Sequence, residues 1–371
     1  MTRIRTWSDS PFSPVVGRDD VPPAAVIAED GGESTQVHEI AGHPGWLAKL
    51  YRKPLSEAAS ATLRTLVYMP TMMSEQDQTL VNTCVSWPVA RICDGPHTVG
   101  VVMAKAPEQF YARLRSFDGR ELDPAPLTLD LLLHSDEYCA KRGVRSDMSV
   151  RARAMLELLR VGGLFARHNI VYADWSYGNA FWELGTGAVF IIDMDTSGIG
   201  AREWIESMSW EDPLYPETTR LPLTVYSDRY KLAVLTVRCL TGERDVEPSA
   251  AHAVLLERLG HNPFHTALGK SLSASRPADR PSPQELLQTL ERWMTATVMT
   301  YEPPEEHSAP NITGTVDLRL RTPGAAPPVP QNTPPVPDVV PTPPHCLGRT
   351  AVIVLVVVCI VIILLLSAAV G

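Results

Sequence analysis

Three polar residues in the middle of the chain have the types and the spacing that metal-dependent phosphoryl transfer would use. Asp174 and Asn179 are five residues apart, and Asp193 follows fourteen residues after Asn179. One carboxylate could orient an attacking hydroxyl and accept its proton, while the amide and the other carboxylate could hold Mg²⁺, a cation that prefers oxygen ligands. Each residue alone also fits a turn or a strand end, but together they predict a catalytic loop.

The local sequence pattern predicts the elements that would bring these residues together. Ser149–Arg167 has the apolar spacing of a largely buried helix. After it, two short apolar runs, Ala180–Trp182 and Ala188–Ile192, flank a Gly-Thr-Gly turn and predict a β-hairpin. A hairpin would place Asn179 and Asp193 at one edge, because each residue adjoins the outer end of one strand.

The rest of the body divides into a strand-rich part and a helical part. The first part contains strand-like runs and one helix with apolar periodicity: Gln36–Ile40, Trp46–Tyr51, Thr98–Met103 and the helix Leu55–Val67. The second part contains further helical patterns at Asp228–Thr241 and Pro283–Met294. These elements predict an α+β body with a small strand-rich region before a larger helical region.

The Asp174-x-x-x-x-Asn179 spacing, followed by Ile192-Asp193-Met194, resembles the catalytic loop and metal-binding triplet of bacterial eukaryotic-like serine/threonine protein kinases, in the protein-kinase-like superfamily. The resemblance covers roughly residues 26 to 294. It implies a two-lobed protein-kinase fold, with a small β-rich N-lobe at residues 26–105 and a larger α-helical C-lobe at residues 106–301.

The resemblance also implies a site for ATP and Mg²⁺. Asp174 would be the catalytic base, and Asn179 and Asp193 would be ligands of Mg²⁺. Lys49, in a strand-like run, would contact the α- and β-phosphates. The other nucleotide-binding residues that it implies belong to a degraded Gly-rich loop and to the strand entering the adenine-binding hinge: Gly31, Gly32, Val37 and Met103.

Three residues further along the chain would have structural roles in the same fold. Glu217, in Tyr215-Pro216-Glu217, resembles the end of the activation segment. Asp228, at the start of an apolar helix, resembles the residue that anchors the catalytic loop. Arg280 resembles the late arginine, which would pair with Glu217. The order and spacing of these residues all fit the family.

Some positions depart from the pattern of the family. Tyr172-Ala173 stands where the family has His-Arg, and Ser176 stands where it usually has Lys. Without that arginine, we expect any activity to be independent of the usual phosphorylation of the activation loop. The third position of the metal triplet is Asp195 instead of glycine. This carboxylate could add a metal ligand or stiffen the turn, and the sequence leaves both readings open.

The glutamate that would pair with Lys49 is also missing from its expected place. That place is near Ala61, where the chain has no acidic residue, and Glu57 and Glu75 are the two options.

The first hypothesis for the function is an ATP- and Mg²⁺-dependent protein serine/threonine kinase that phosphorylates a protein substrate. The departures motivate an alternative, a pseudokinase that acts as a nucleotide-binding scaffold or signalling module with little turnover. A small-molecule kinase is the third hypothesis.

Composition argues against several other classes of protein. The formal net charge is -9, and the chain has no long Lys/Arg run, so we expect no binding to nucleic acid. The six cysteines have no C-x-x-C spacing, which favours reduced cysteines in a cytosolic domain over a zinc site. Residues 1–25 include no apolar stretch of the kind found in signal peptides, and we expect them to be disordered.

The C-terminal part predicts a membrane anchor behind a linker. Residues 302–349 are rich in Pro, Val, Thr and Ala around Pro323–Pro344, a composition that favours an extended linker. Residues 350–371 contain an uncharged apolar run, Ala351–Val370, that at about 1.5 Å per residue is long enough to span a bilayer. Arg349 precedes it, which favours a single-pass anchor in the cell membrane with the kinase-like domain in the cytosol.

Overall fold

The computed structural model describes residues 7–29, 34–205 and 210–300, and its first half is built on a six-stranded sheet. In chain order the strands are β1 (Val15–Gly17), β2 (Pro23–Glu29), β3 (Ser34–Ile40), β4 (His43–Tyr51), β5 (Pro88–Asp94) and β6 (His97–Ala104). Across the sheet the order is β1-β5-β6-β4-β3-β2, with β1 parallel to β5 and the other neighbours antiparallel. The strand β4, which carries Lys49, therefore has hydrogen-bonded neighbours on both sides.

Two helices, α1 (Glu57–Tyr68) and α2 (Glu75–Cys84), lie in the chain between β4 and β5. Each begins with a serine whose hydroxyl accepts a hydrogen bond from a backbone N–H three residues later, which satisfies one of the free donors at the helix start. The buried residues of α1 are Leu63, Leu66 and Val67, which share one helical face. Leu63 packs with Val101 of β6, so this face covers the sheet.

The second half is helical. Its helices are α3 (Asp136–Lys141), α4 (Met148–Arg167), α5 (Val225–Thr241), α6 (Pro248–Leu259), α7 (Pro263–Ser273) and α8 (Pro283–Thr300). The helices α4 and α5 are buried along most of their length and form the centre of the main core. Gly162 of α4 allows this close packing, because a Cβ atom there would lie 2.5 Å from Leu232 Cδ2 of α5.

Short strands lie around the end of α4 and in the loops before α3. They are β7 (Tyr111–Ala112), β8 (Ala125–Pro126), β9 (Ile170–Val171), β10 (Ala180–Trp182), β11 (Val189–Ile191) and β12 (Gly198–Ile199). β10 and β11 form an antiparallel hairpin in which Ala180 pairs with Ile191. β9, directly after α4, pairs with β12. Asn179 directly precedes β10, and Asp193 lies two residues after β11.

The predicted α+β arrangement, with a β-rich N-terminal region and a helical C-terminal region, is confirmed. One prediction is wrong for residues 7–25, which we expected to be disordered. They include β1 and the start of β2, and the backbone N–H of Trp7 donates to Asn82 Oδ1 of α2 at 2.7 Å. A three-residue strand has no recognisable local pattern, because its stability comes from pairing with a distant strand.

The predicted linker at residues 302–349 and the predicted membrane span at residues 350–371 lie outside the described residues. Within residues 7–29, 34–205 and 210–300, no helix combines the length and the apolar character that crossing a bilayer requires.

Candidate active site

Lys49 reaches the site from the middle of β4. It pairs with Val37 of β3 on one side and with Val101 of β6 on the other. Successive side chains of a strand point to opposite faces, so Lys49 shares a face with Leu47 and Tyr51. This is the face that α1 covers, and Lys49 is buried there at 8% exposure.

Two carboxylates hold the Lys49 ammonium. Its Nζ atom donates to Asp193 Oδ1 and to Asp195 Oδ1, each at 3.0 Å. The two carboxylates differ in environment, because the Asp193 side chain is 39% exposed and the Asp195 side chain is 0% exposed. Burial alone lowers the pKa of Lys49, but the negative charges of Asp195 and Asp193 outweigh burial and hold that pKa above its ordinary value. Lys49 is therefore a fixed positive charge in this site.

The β10–β11 hairpin brings Asn179 next to Asp193, at its open end. The backbone N–H of Ile192 donates to the Asn179 carbonyl at 3.0 Å, one pair beyond the last rung of the hairpin. The Asn179 Nδ2 atom donates to the Asp174 carbonyl at 3.3 Å, so its side-chain oxygen, the atom that a metal would need, faces away from that bond. Asp174, Asn179 and Asp193 therefore adjoin one another at one edge.

Asp193 has a left-handed backbone, with φ 57° and ψ 38°. Tyr172 supports this turn, because its hydroxyl donates to the carbonyl of Ile192 at 2.7 Å. Burial raises the pKa of the Tyr172 hydroxyl well above its ordinary value, which keeps the hydroxyl protonated and able to donate. The tyrosine at the position where the resembling family has histidine thus links the loop before Asp174 to the turn at Asp193.

Asp228, near the start of α5, holds the loop that precedes Asp174. Its Oδ2 accepts from the backbone N–H of Tyr172 at 2.7 Å, and its Oδ1 accepts from that of Ala173 at 2.8 Å. One turn further along α5, Lys231 Nζ donates to the Ala173 carbonyl at 2.8 Å. Ala173 has a left-handed φ of 63°, which alanine rarely adopts. Its peptide groups are thus held on both sides by α5.

Burial raises the pKa of Asp228 to about 6, while the bonds from the Tyr172 and Ala173 N–H groups and the charge of Lys231 oppose that rise. For Lys231, burial lowers the pKa, and the charges of Asp228 and Asp174 oppose the fall. The two groups are a buried, mutually compensating pair under the catalytic-type loop.

Arg202 connects the segment after Asp195 to the same loop. Its Nη1 donates to the Tyr172 carbonyl at 2.6 Å, and its Nη2 donates to Thr196 Oγ1 at 3.1 Å. The site residues predicted from the sequence did not include Arg202, Lys231 or Tyr51. The available signal for Lys231 was its position three residues after Asp228, which places both side chains on one face of α5. Arg202 stands outside the helices and the named strands, where no such signal exists.

Of the other predicted nucleotide-binding residues, one lies next to Lys49, one lies in the core and two are not described. Val37 is half-buried and lies directly across from Lys49. Met103 is 4% exposed and packs with Leu63 and Val101, so its side chain belongs to the core between the sheet and α1. Gly31 and Gly32 lie outside the described residues.

The predicted pair of Arg280 with Glu217 is wrong. Arg280 instead makes a bidentate pair with Asp212, through Nη1 to Oδ2 and through Nη2 to Oδ1 at 2.6 Å, and both side chains are 1% exposed. Glu217 pairs with Arg220 at 3.1 Å on the surface, where its side chain is 63% exposed. A buried guanidinium needs a buried partner, and Asp212 meets that need whereas Glu217 does not.

The partner of Lys49 is also neither of the two glutamates considered. Glu57 and Glu75 are exposed residues at the starts of α1 and α2, whereas the Lys49 ammonium lies between Asp193 and Asp195. Within the described residues, no three or more His, Cys, Asp or Glu side chains are grouped so as to hold a metal ion. The predicted magnesium ligands, Asn179 and Asp193, include one such side chain, Asp193.

Comparison with protein-family models and with curated proteins finds no match for this chain. The assignment of a function therefore depends on the geometry of the site.

Proposed function

We propose that residues 26–301 form a two-lobed protein-kinase domain, which transfers the γ-phosphoryl group of ATP to a serine or threonine hydroxyl of a protein. The observation that carries this proposal is the 3.0 Å contact from Lys49 Nζ to Asp193 Oδ1. It joins a lysine in the centre of the sheet to a carboxylate that adjoins Asn179 and the loop of Asp174. Residues 144 positions apart in the chain are thereby brought to one cleft edge.

The charges of the site fit a magnesium–nucleotide complex. Burial raises the pKa of Asp193; the Lys49 charge opposes the rise, and the negative charges of Asp195 and Asp174 add to it. The Lys49 ammonium contacts two of these carboxylates, Asp193 and Asp195, and a divalent cation next to Asp193 would add positive charge there. Asn179 and Asp193 would supply its oxygen ligands. When bound, Mg²⁺ would neutralise phosphate charge during transfer.

The remaining roles follow from the positions of the protein groups. Lys49 would bind the α- and β-phosphates as a fixed positive charge. Asp174 would orient the substrate hydroxyl and accept its proton, which requires a carboxylate held at a defined distance from the phosphate site. The contacts of Asp228 and Lys231 to the preceding residue, Ala173, would hold Asp174 in place. A base so held needs no reorganisation during transfer.

The test is phosphate transfer by the purified full chain in mild detergent, with labelled ATP, Mg²⁺ and a generic protein substrate. We expect Asp174→Asn and Asp193→Asn each to lower the transfer rate by roughly a hundredfold or more, the usual effect of losing a general base or a metal ligand. The matched control is Asp245→Asn, because the Asp245 side chain is 94% exposed. If both cleft variants phosphorylate like the parent, these roles are wrong.

The alternative is a pseudokinase, a nucleotide-binding scaffold or signalling module with little turnover. The observation that favours it is the uncharged Ser176 at a position where the resembling family has a lysine next to the transferred phosphate. Binding of ATP without phosphate transfer would support this alternative. Transfer to small alcohols or sugars but to no protein would favour a small-molecule kinase instead.

We also propose that residues 350–371 anchor the chain in the cell membrane, with the kinase domain on the cytosolic side. Support comes from the uncharged run Ala351–Val370 and from Arg349 before it. The full chain should remain in the membrane fraction after alkaline carbonate extraction, and a chain that ends at residue 349 should not. Release of both by carbonate would refute the anchor. A tether would raise the local concentration of the domain near membrane-bound substrates.

A further inference from the structure

We infer that Asp195 is a positioning residue that holds Lys49 for the nucleotide phosphates, in place of the helical glutamate that the resembling family would use. This inference rests on the proposed function, and it replaces the two readings that the sequence left open for Asp195. It also separates the role of Asp193 from that of its neighbour two residues away.

Both oxygens of the Asp195 carboxylate are occupied by donors from β4. Oδ1 accepts from Lys49 Nζ at 3.0 Å, and Oδ2 accepts from the Tyr51 hydroxyl at 3.0 Å. Lys49 and Tyr51 are two residues apart on one strand, so both side chains reach the same face. A carboxylate with 0% side-chain exposure depends on such partners, because an unpaired buried charge is costly. Asp195 is therefore directed at the sheet.

This geometry argues against the other two roles. A residue that stiffens its own turn would bond to nearby backbone N–H groups, as short acidic side chains commonly do in turns. The donors to Asp195 come instead from 144 and 146 residues away. A metal ligand needs an oxygen open to the cleft, and Asp193, at 39% exposure, is the open one of the pair. Asp193 can exchange Lys49 for a cation while Asp195 retains Lys49.

Helix α1 supplies no acidic side chain near the contact between Lys49 and Asp195. Its Thr62 lines the same cavity as Asp195, which has a volume of about 580 Å³. The Thr62 hydroxyl donates to the Ala58 carbonyl of its own helix at 3.1 Å. The position of Lys49 is therefore fixed by the segment that contains Asp193. The ammonium thus depends on Asp193 and Asp195, and no acidic side chain of α1 contacts it.

The test measures binding of ADP and of adenosine by the purified full chain, both without metal in EDTA. The ratio of the two affinities isolates the contact of Lys49 with the phosphates, because adenosine has none. We expect Asp195→Asn to weaken ADP binding about ten- to hundredfold, the range for loss of a charge-assisted partner, and to leave adenosine binding unchanged. Tyr51→Phe, which leaves both charges in place, should cause a smaller loss in the same direction.

A double-mutant cycle decides whether Asp195 acts through Lys49. Lys49→Met should abolish the preference for ADP, and Asp195→Asn in that background should cause no further loss. Asp193→Asn is the comparison: it should remove the gain in affinity that Mg²⁺ gives, which Asp195→Asn should retain. Asp245→Asn is the matched surface control.

Three results would overturn the inference. Independent, additive losses in the cycle would show that Asp195 does not act through Lys49. Loss of the Mg²⁺ effect in Asp195→Asn, with metal-free ADP binding intact, would make Asp195 a metal ligand. A lower unfolding midpoint with unchanged ADP preference would make it purely structural. If the parent chain binds neither ADP nor adenosine, the proposed function itself fails, a result distinct from binding without coupling.

Discussion

Replacing Asp228 by asparagine tests how the loop before Asp174 is held. The two carboxylate oxygens accept from the N–H groups of Tyr172 and Ala173 at 2.7 and 2.8 Å. An asparagine side chain has one acceptor oxygen, and its NH₂ group would face the second N–H donor. One buried backbone donor would lose its partner, at a cost of about 1–3 kcal/mol. The loop that positions Asp174 would also lose one of its two anchors on this side.

The pH dependence separates this effect from ordinary loss of stability. Burial raises the pKa of Asp228 from 3.8 to about 6, which corresponds to ~3 kcal/mol. The folded protein then binds more protons than the unfolded chain between pH 4 and pH 6. The contribution of Asp228 to the free energy of unfolding is therefore highest below about pH 4, declines as pH rises to 6, and stays at its lowest value above that. An asparagine side chain at this position would not titrate, so the Asp228→Asn variant lacks this contribution.

The assay is urea unfolding of the parent and of Asp228→Asn at a series of pH values from 4 to 8. The difference in unfolding free energy, parent minus variant, should be constant above about pH 6.5. It should increase in favour of the parent by up to ~3 kcal/mol as pH falls towards 4. Phosphate transfer by the parent should decline in the same window, because a protonated carboxyl is a weaker acceptor for the two N–H groups. Parallel stability curves for the two proteins across this range would refute the reasoning.

Two further substitutions test the packing around the site. Asp212→Asn breaks the buried bidentate pair with Arg280 and should lower the unfolding free energy by about 3–5 kcal/mol in urea titrations, whereas Glu217→Gln on the surface should change it by less than about 0.5 kcal/mol. Equal effects would restore the pairing first expected for Arg280.

Gly162→Ala should destabilise the protein by about 1–3 kcal/mol, because the new Cβ would lie 2.5 Å from a leucine of α5. Gly163→Ala, next to it in α4, meets only the flexible ends of an arginine and a glutamine and should stabilise by up to about 1 kcal/mol through helix propensity. Similar thermal midpoints for the two alanine variants would contradict this account of the α4–α5 contact.

The fold class could be predicted from the sequence because the signals are local. The helix predicted at Ser149–Arg167 is Met148–Arg167 in the structure, and the strand predicted at Trp46–Tyr51 is the second part of β4. Apolar periodicity and turn residues record which face of an element is buried, and they do so within a window of a few residues. The α+β division into two regions follows directly from such windows.

Partner choice could not be predicted in the same way. Arg280 and Asp212 are 68 residues apart, and the sequence offers Glu217 as an acid of similar type a few positions from Asp212. The decisive difference is burial, which depends on how residues 210–224 pack against the helices. The partner of Lys49 could not be predicted for the same reason. Nothing in the local sequence pattern shows that Asp195, and not Glu57 of α1, contacts the lysine.

Two residues of the candidate site have a strained backbone. Ala173 and Asp193 are two of the four non-glycine residues with positive φ that the described chain contains. Such conformations cost about 1–3 kcal/mol each, and they persist where the surroundings fix them. Both are held by side chains from other parts of the chain. Asp228 and Lys231 bond to the peptide groups of Ala173, and the Tyr172 hydroxyl donates to the carbonyl of Ile192, the residue before Asp193. One strained residue immediately precedes the proposed base, and the other is the proposed metal ligand. Under the proposed function, the fold thus gives up stability at the two points where phosphoryl transfer would require fixed carboxylates.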